Sequence, residues 1–537
     1  MDFLTLKEFR MRTLVSQILE KPNWWRKVHD QDIVEKWRKE FIQQDAELVR
    51  KEWRELSEAE EAELFADGDG EMNWREAQRK NVYQSLELIP SHLKAALIGG
   101  ASVLESVPEE EKDWHPGTEH QVLDLIHPSL HCFRIGKSLV KKDDGTVDVP
   151  TLNDYMNQRD DIDRSSNFST SIQHQWLPTD FQVSSTGEVT RLGYINNLHP
   201  DLHKPLNTTI TSILERFIPL WDRVLSATLN PDELAITADP FNWYSNLEEK
   251  EPNWNDFCKD GKQDHKAYNL AYDKYQKEVK WPVVPDPAPF TPPWSEGQVE
   301  FTLKGRKIQV IIKMANIILT PENPKYGGGS WHVEGMENER IVSTGLYYYH
   351  SSNISESKLG FRKAIGDGDY GHEIPYEQSD NQGYMAAYGI DGNGGPLNQE
   401  LGSMVTKEDK CLAFPNIYQH RVAPFKLVDP TKPGLRKILC FFLVDPTKSI
   451  LSTSQVPPQQ YAWYSREIGK APALTALPLE LFDMITEKLV EKTDGNGGVI
   501  TMEQAKAERQ KLMDERANFR VEHNKEIFEM EFNMCEH

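Results

Sequence analysis

The sequence predicts an α+β fold in which an antiparallel β domain over residues 300 to 448 lies between helical regions. Three observations carry this expectation. Dense β-like runs occur beyond residue 300, namely KIQVIIKMANIIL, ERIVSTGLYYYH and RKILCFFLV, with Gly- or Pro-rich turns between them. Apolar residues recur at helical spacing near the start, in IVEKWRKEFI and NVYQSLELI. Mixed charges three and four residues apart mark TMEQAKAERQKLMDERANFRVEHNKEIFEMEF near the end.

In chain order, residues 1–130 are expected to form a helical N-terminal region, broken at Pro22, at the polar ADGDGEMN loop and at Pro90. Residues 131–300 mix short β-like pieces, such as FQVSSTGEVTRLGYINNLHP, with helices and close on the stiff connector WPVVPDPAPFTPPW. Residues 301–450 are the β domain. Residues 451–537 return to helix from Pro478 in PLELFDMITEKLVEK.

Composition narrows the function. With 61 Lys+Arg against 84 Asp+Glu, the net charge is -23, which argues against nucleic acid or an anionic membrane as partner. The five cysteines form no CxxC pair, as expected of free thiols in a reducing compartment. MDFLTLKEFRMRTL has no sustained apolar core, and no run of eighteen apolar residues follows. A cytoplasmic protein with a small-molecule substrate is expected, self-association being open.

The chemistry-bearing stretch is YGGGSWHVEGMENERIVSTGLYYYH, residues 326 to 350. On a strand, positions i and i+2 share a face, so His332 and Glu334 would present an imidazole and a carboxylate side by side. That is two of the three ligands of a facial triad for non-haem Fe(II). The H-x-[DE] pattern alone is weak, and the chain contains it twice. At the second occurrence, His199-Pro200-Asp201, the central proline argues for a turn. Distal company raises the first: His420 lies in FPNIYQHRVAPF on a later β element, where it can supply a third ligand. Farther on, Arg436 opens RKILCFFLV and offers a fork suited to a carboxylate. Lys437 points to the opposite face of that strand, so a change of parity would exchange the two roles.

Other constellations are weaker. FADGDGEMNWRE (65 to 76) and KTDGNGGVITME (492 to 503) resemble EF-hand loops but carry Phe65 and Lys492 where the first acidic ligand belongs. His127 and His131 in HPSLH lack the glutamate of a zinc helix and read as packing histidines. ALPLELFDMI resembles the start of an F-box, and equally a plain helix N-terminus. The sequence offers no G-x-S-x-G, no Walker A motif and no G-x-G-x-x-G at a strand-to-helix junction.

The order H-x-E, then H, then R on successive β elements resembles the Fe(II)/2-oxoglutarate-dependent dioxygenase superfamily. More closely, WHVEGMENERIV, YYYH, FPNIYQHRVAPF, DPTKPGLRKIL and FFLVDPTK look like a fungal family described only as a domain of unknown function and placed in that superfamily. The resemblance implies a double-stranded β-helix (jelly-roll) core. It makes His332, Glu334 and His420 the iron ligands and Arg436 the 2-oxoglutarate anchor. Glu334 departs from the commoner aspartate. The implied activity is oxidation of a C–H bond in a small molecule, an amino acid or specialised metabolite, using Fe(II), 2-oxoglutarate and O2 and releasing succinate and CO2. Hydroxylation, desaturation and ring closure are all open to it. A non-catalytic scaffold on the same barrel, or a cupin-like metalloprotein without 2-oxoglutarate, are the alternatives. The strand after the motif is expected to supply the substrate wall through Ser343, Gly345 and Tyr347, and the loop over 367–396 is expected to be a lid or an excursion.

Overall fold

A computed structural model of the chain describes residues 4–19, 21–52, 82–158, 168–230, 236–259, 261–287, 298–365, 375–470, 477–482, 484 and 498–534. The first EF-hand-like loop, at 65–76, lies outside them, as do residues 492–497 of the second and 367–374 of the long glycine-rich loop.

Eight antiparallel strands build the large sheet. They are β1 (Tyr83–Ser85), β2 (Val122–Ile126), β3 (Thr179–Val183), β4 (Val189–Arg191), β5 (Lys307–Leu319), β6 (Ile341–Ser352), β9 (Cys411–Pro415) and β11 (Gly434–Val444), with β7 (Lys358–Ala364), β8 (Asn398–Val405) and β10 (Gln419–Val422) in a smaller sheet. The large sheet runs β1-β9-β6-β11-β5-β3-β4, with β2 on β5, and the small one runs β8-β7-β10. An antiparallel bridge between His332 and His420 adds the His332 segment beside β10. Successive elements from β5 onward therefore alternate between the sheets: β5 large, the His332 segment small, β6 large, β7 and β8 small, β9 large, β10 small, β11 large. Among the described residues neither sheet closes on itself, so two open sheets face one another rather than forming one continuous barrel.

Side-chain alternation makes three layers. On the large sheet, Tyr347, Tyr349, Ala413, Leu439, Phe441 and Leu443 join one buried cluster with Ile213, Phe217 and Trp221 of a 26-residue helix, Lys204–Leu229. The opposite face sends Leu346, Tyr348, Leu412 and Phe414 against Leu359, Phe361 and Met404 of the small sheet. Helix layer, large sheet and small sheet thus stack in that order. A helix over Ser91–Glu105 also packs on the helix side, through Leu97 and Ala101. A C-terminal helix, Met502–His523, contributes Leu512 to a cluster with Ile311, Ile341 and Phe442 at one end of the inner face.

Three expectations change. NVYQSLELI reads as helix, yet Tyr83–Ser85 pairs with Cys411–Ala413 at the edge of the large sheet. Its alternation wins because Val82 serves the inner cluster while Tyr83 packs on the helix side. The sheet also recruits β2, β3 and β4 from before residue 300, so the β structure extends beyond the expected 301–450. Finally, the helical C-terminal region ends in a short strand, Glu531–Asn533, paired with Asn393–Pro396 of the glycine-rich loop. That loop also holds a helix, Asn381–Tyr388, pinned where Asp380 accepts hydrogen bonds from Trp243 Nε1 and Tyr244 Oη.

Gly345 shows how tightly the helix layer docks. A Cβ there would stand 2.8 Å from Phe217 and 3.4 Å from Trp221. Gly345→Ala is expected to cost about 1–3 kcal/mol through overpacking, seen as a lower urea midpoint at unchanged slope. An unchanged midpoint would count against this packing account.

Candidate metal centre

The segment that carries His332 and Glu334 is irregular, and its shape comes from local anchors. Gly335 adopts φ +73°, and a Cβ there would meet Ile341 at 2.8 Å, so the turn after Glu334 requires glycine. Beyond it, Glu339 accepts hydrogen bonds from the backbone N–H of Met336 (2.7 Å) and Trp176 (2.8 Å), and Arg516 of the C-terminal helix meets it at 2.9 Å. Asn338 is fully buried, bonded to Ser171 and to the Tyr155 hydroxyl. These contacts fix the loop before any metal is considered.

Asn416 locks the acid itself. Its Oδ1 accepts from the Glu334 N–H at 2.9 Å, while its Nδ2 donates to the carbonyls of Glu334 (2.9 Å) and Ile341 (3.0 Å). The His332–His420 bridge closes the other side with reciprocal backbone bonds of 3.2 and 3.0 Å. Glu334 Oε1 ends 3.3 Å from His420 Nε2 and 3.7 Å from His332 Nε2, with the two rings 4.4 Å apart. The three residues thus converge, and their ligand atoms lie close enough together to hold one ion. His332 Nδ1 is 2.9 Å from the Ser330 carbonyl, to which it donates, leaving Nε2 for a metal.

Electrostatics agree with that geometry. Burial alone would raise the Glu334 carboxyl, but the imidazoles of His332 and His420 hold it well below the usual carboxylate range. Burial opposes charge on His332, and Glu334 outweighs it, raising that ring. His420 is lowered by burial and by the neighbouring His332. One carboxylate with two imidazoles is a donor set for a divalent transition metal.

A second group, His115, Asp124 and His127, is equally compact, yet it fits a dication poorly. Arg509 Nη1 lies 3.8 Å from Asp124 Oδ2, and Lys313 also acts on that carboxylate. The Ser129 N–H donates to His127 Nδ1 at 3.2 Å, leaving the proton of the neutral ring on Nε2. Burial keeps His127 neutral. His115 Nδ1 meets Asp124 at 2.7 Å, and Arg509 and Lys313 already supply positive charge beside that carboxylate. His131 is bonded to Asn197, and His199 caps its own turn by accepting from the N–H groups of Asp201 and Leu202.

Arg436 and Lys437 face opposite ways. Lys437 turns to the helix layer and binds both oxygens of Glu105 at 2.7 Å. Arg436 lies on the inner face, fully buried, with Nη1 donating to Ser357 Oγ at 2.6 Å. Its guanidinium stacks over Tyr348 (4.6 Å) and Phe425 (5.6 Å), and Nε and Nη2 have no partner among the described residues.

The expected substrate wall is displaced. Gly345 and Tyr347 pack against the Lys204–Leu229 helix on the far side of the sheet, and Ser343 Oγ is used by the Phe414 carbonyl at 2.9 Å. Leu346 and Tyr348 face the small sheet instead, with Thr344, which pairs with inner-face Phe414 and Phe442. Sequence reasoning also passed over Asn416 and Ser357. Asn416 stood in the quoted stretch FPNIYQH, between two β elements, where an asparagine suits a turn that binds backbone.

Residues 46–467 match a family described as "Protein of unknown function (DUF4246)", and residues 1–40 match its N-terminal domain. No curated protein matches the chain. Solved structures align distantly. They include TqaL, an Fe(II)/α-ketoglutarate-dependent dioxygenase (11% identity, 68% of this chain, 95% of that one, TM-score 0.24). A dioxygenase for auxin oxidation from rice aligns at 10% identity over 70% of this chain and 76% of that one, TM-score 0.24. IDO from Bacillus thuringiensis aligns at 13% identity over 26% of this chain, spanning only 46% of its own length, TM-score 0.16. Likenesses at such scores carry no argument about fold or activity.

The wild-type chain is expected to bind a single equivalent of divalent transition metal. His332→Ala and His420→Ala should abolish this, while His115→Ala should leave it intact. Because His332 takes up a proton more readily than an ordinary imidazole, affinity should fall as the pH drops through the histidine range. Competition titration against a chelator at several pH values checks both outcomes.

Proposed function

The chain belongs to the DUF4246 family, and from that premise we propose that it is a non-haem Fe(II)- and 2-oxoglutarate-dependent oxygenase that oxidises a small molecule on a double-stranded β-helix. The observation that carries the proposal is the pairing of two things between the facing sheets. One is the convergence of His332, Glu334 and His420; the other is the buried Arg436, with two unmatched N–H donors.

The alternation of elements between the facing sheets supports the double-stranded β-helix, because it brings an early strand segment and a late strand together at one metal. Two imidazoles and one carboxylate suit Fe(II) and leave coordination positions for a cosubstrate and O2. Glutamate in place of aspartate is accommodated, since its oxygen lies within 3.7 Å of both ring nitrogens.

Arg436 fits one end of a dicarboxylate. Leaving Nε and Nη2 of a buried guanidinium unmet is costly, and a carboxylate would satisfy them in a forked pair. Ser357 fixes the fork from one side, and Tyr348 and Phe425 keep water from its faces. Bound there, Fe(II) with 2-oxoglutarate and O2 supplies oxidative decarboxylation to succinate and CO2, coupled to oxidation of a substrate C–H bond. The chain's own residues hold the metal through three side chains, grip the far carboxylate, and present Thr344, Leu346 and Tyr348 as a wall. Substrate choice belongs to that wall and not to the ligands.

Anaerobic Fe(II) plus 2-oxoglutarate should give the visible metal-to-ligand charge-transfer band of the ternary complex. A metal-replete protein without that band would refute the proposal. Arg436→Lys keeps the charge but loses the fork, and should weaken 2-oxoglutarate binding by about tenfold to a hundredfold while metal affinity holds.

A further inference from the structure

Lys313 lies midway along β5, within the apolar run KIQVIIKMANIIL, where no motif marks it. Its register partner across the sheet is Cys440 of β11, which belongs to the inner set with Ile438. The neighbouring Ile312 and Met314 turn to the helix layer, so Lys313 points the other way, onto the face that carries Arg436.

The surroundings of this ammonium can be named on every side. Asp124 on the adjacent β2 acts on it most strongly, followed by Glu334 of the metal centre, with Cys440 beneath and Tyr326 beyond. Burial works against its charge, and the two carboxylates more than offset that, so Lys313 remains an ammonium. Yet it has no hydrogen-bond or ion-pair partner among the described residues. Asp124 Oδ2 is engaged by His115 at 2.7 Å, its unpartnered Oδ1 stands beyond ion-pair reach of the ammonium, and Glu334 is engaged by the two imidazoles. A cation with three donors on a largely enclosed wall needs acceptors.

The positions along β11 define an axis. Arg436 and the pair partner of Lys313 are four residues apart, about 13 Å along an extended strand. Lys313 stands near Glu334 at one end, and Arg436 closes the other. Both long side chains can reach inward along the intervening face, whose residues between them, Ala315 and Ile438, bring no charge. The inner wall thus carries two cations with unmet donors and an apolar interval, a complement to a short, flexible dicarboxylate.

We propose that Lys313 is a second cosubstrate-binding residue, its ammonium donating to the carboxylate of 2-oxoglutarate at the metal end while Arg436 holds the distal carboxylate. This rests on reading the metal centre as a 2-oxoglutarate site. It adds a cation from β5 that the H-x-E, H, R order does not contain. A charge-assisted bond there is expected to be of the same order as one at Arg436.

The test uses the full chain, saturated anaerobically with Fe(II), and reads the charge-transfer band as ligand is added. Lys313→Met, close in length but uncharged, should weaken 2-oxoglutarate binding about tenfold to a hundredfold. Lys313→Arg should recover most of that loss. Metal affinity in Lys313→Met should be unchanged or tighter, since a cation near Glu334 is removed. A second probe, 2-oxobutyrate, has the metal-end carboxylate but no distal one. With it the Lys313→Met loss should persist, whereas the Arg436→Lys loss should disappear. Wild-type-like binding of 2-oxoglutarate by Lys313→Met overturns the inference, as does a loss that vanishes with 2-oxobutyrate. Either result leaves the oxygenase reading standing. Failure of the wild-type protein to bind 2-oxoglutarate at all would instead refute that reading and this inference with it. Lys313→Gln, carried through the same titrations, replaces Lys313→Met if the latter does not fold.

Discussion

Everything at the metal centre depends on one backbone contact, the antiparallel bridge between His332 and His420. Its two reciprocal hydrogen bonds are ordinary in length and modest in net energy, about 1 kcal/mol each. Their importance is geometric. They hold an irregular segment against the edge of the small sheet, so that two imidazoles far apart in sequence stand 4.4 Å apart with Glu334 facing both. Asn416 secures the same segment from the β9 side through three hydrogen bonds to backbone. A side chain that binds main chain in this way carries no charge into the centre, leaving the electrostatics to the ligands.

The inner face is unusual in the charge it buries. Arg436, Lys313, Arg509 and Arg516 all approach it, and each cation meets a different fate. Arg509 pairs with Asp113 in a forked contact at 2.7 and 3.0 Å, and Arg516 lies against Glu339 and over the Trp176 ring at 3.6 Å. These two close the end of the chamber as paired, structural charges. Unmet N–H groups remain on all three arginines, but Arg436 and Lys313 have no carboxylate within ion-pair distance among the described residues. That contrast, more than the number of charges, separates wall from ligand-binding surface, because a buried cation that is already paired has little to offer a newcomer.

Much of this was legible in the linear order of residues. The later histidine and the arginine opening RKILCFFLV fall on strands, His332 forms a single bridge and Glu334 lies in a bend, and all four stand between the two facing sheets. What failed was parity. Gly345 and Tyr347 were assigned to the pocket by counting alternate residues, but β6 carries a register shift between Ile341 and Ser343, which puts Ser343, Gly345 and Tyr347 on the face opposite to Ile341. Such a bulge changes which residues face inward, and nothing in IVSTGLYYYH announces it. Lys313 was missed for another reason. A lysine in an apolar strand reads as a surface residue, and only the strand pairing shows that this one points between the sheets. Tyr83–Ser85 failed because a three-residue edge strand is too short for its alternation to outweigh the helical spacing around it.

The tie between Glu339 and Arg516 also orders events in time. A chain emerges from its N-terminus, so every strand of both sheets, and the three convergent side chains His332, Glu334 and His420, exist before the Met502–His523 helix is made. Until that helix docks, Glu339 lacks its cationic partner and the end of the chamber stays open to water. The nascent protein therefore passes through a stage with its ligands assembled but unshielded. Among the described residues only the Asn524–Phe528 turn and the short strand Glu531–Asn533 follow that helix, so shielding of the site comes late, after the three convergent side chains are made.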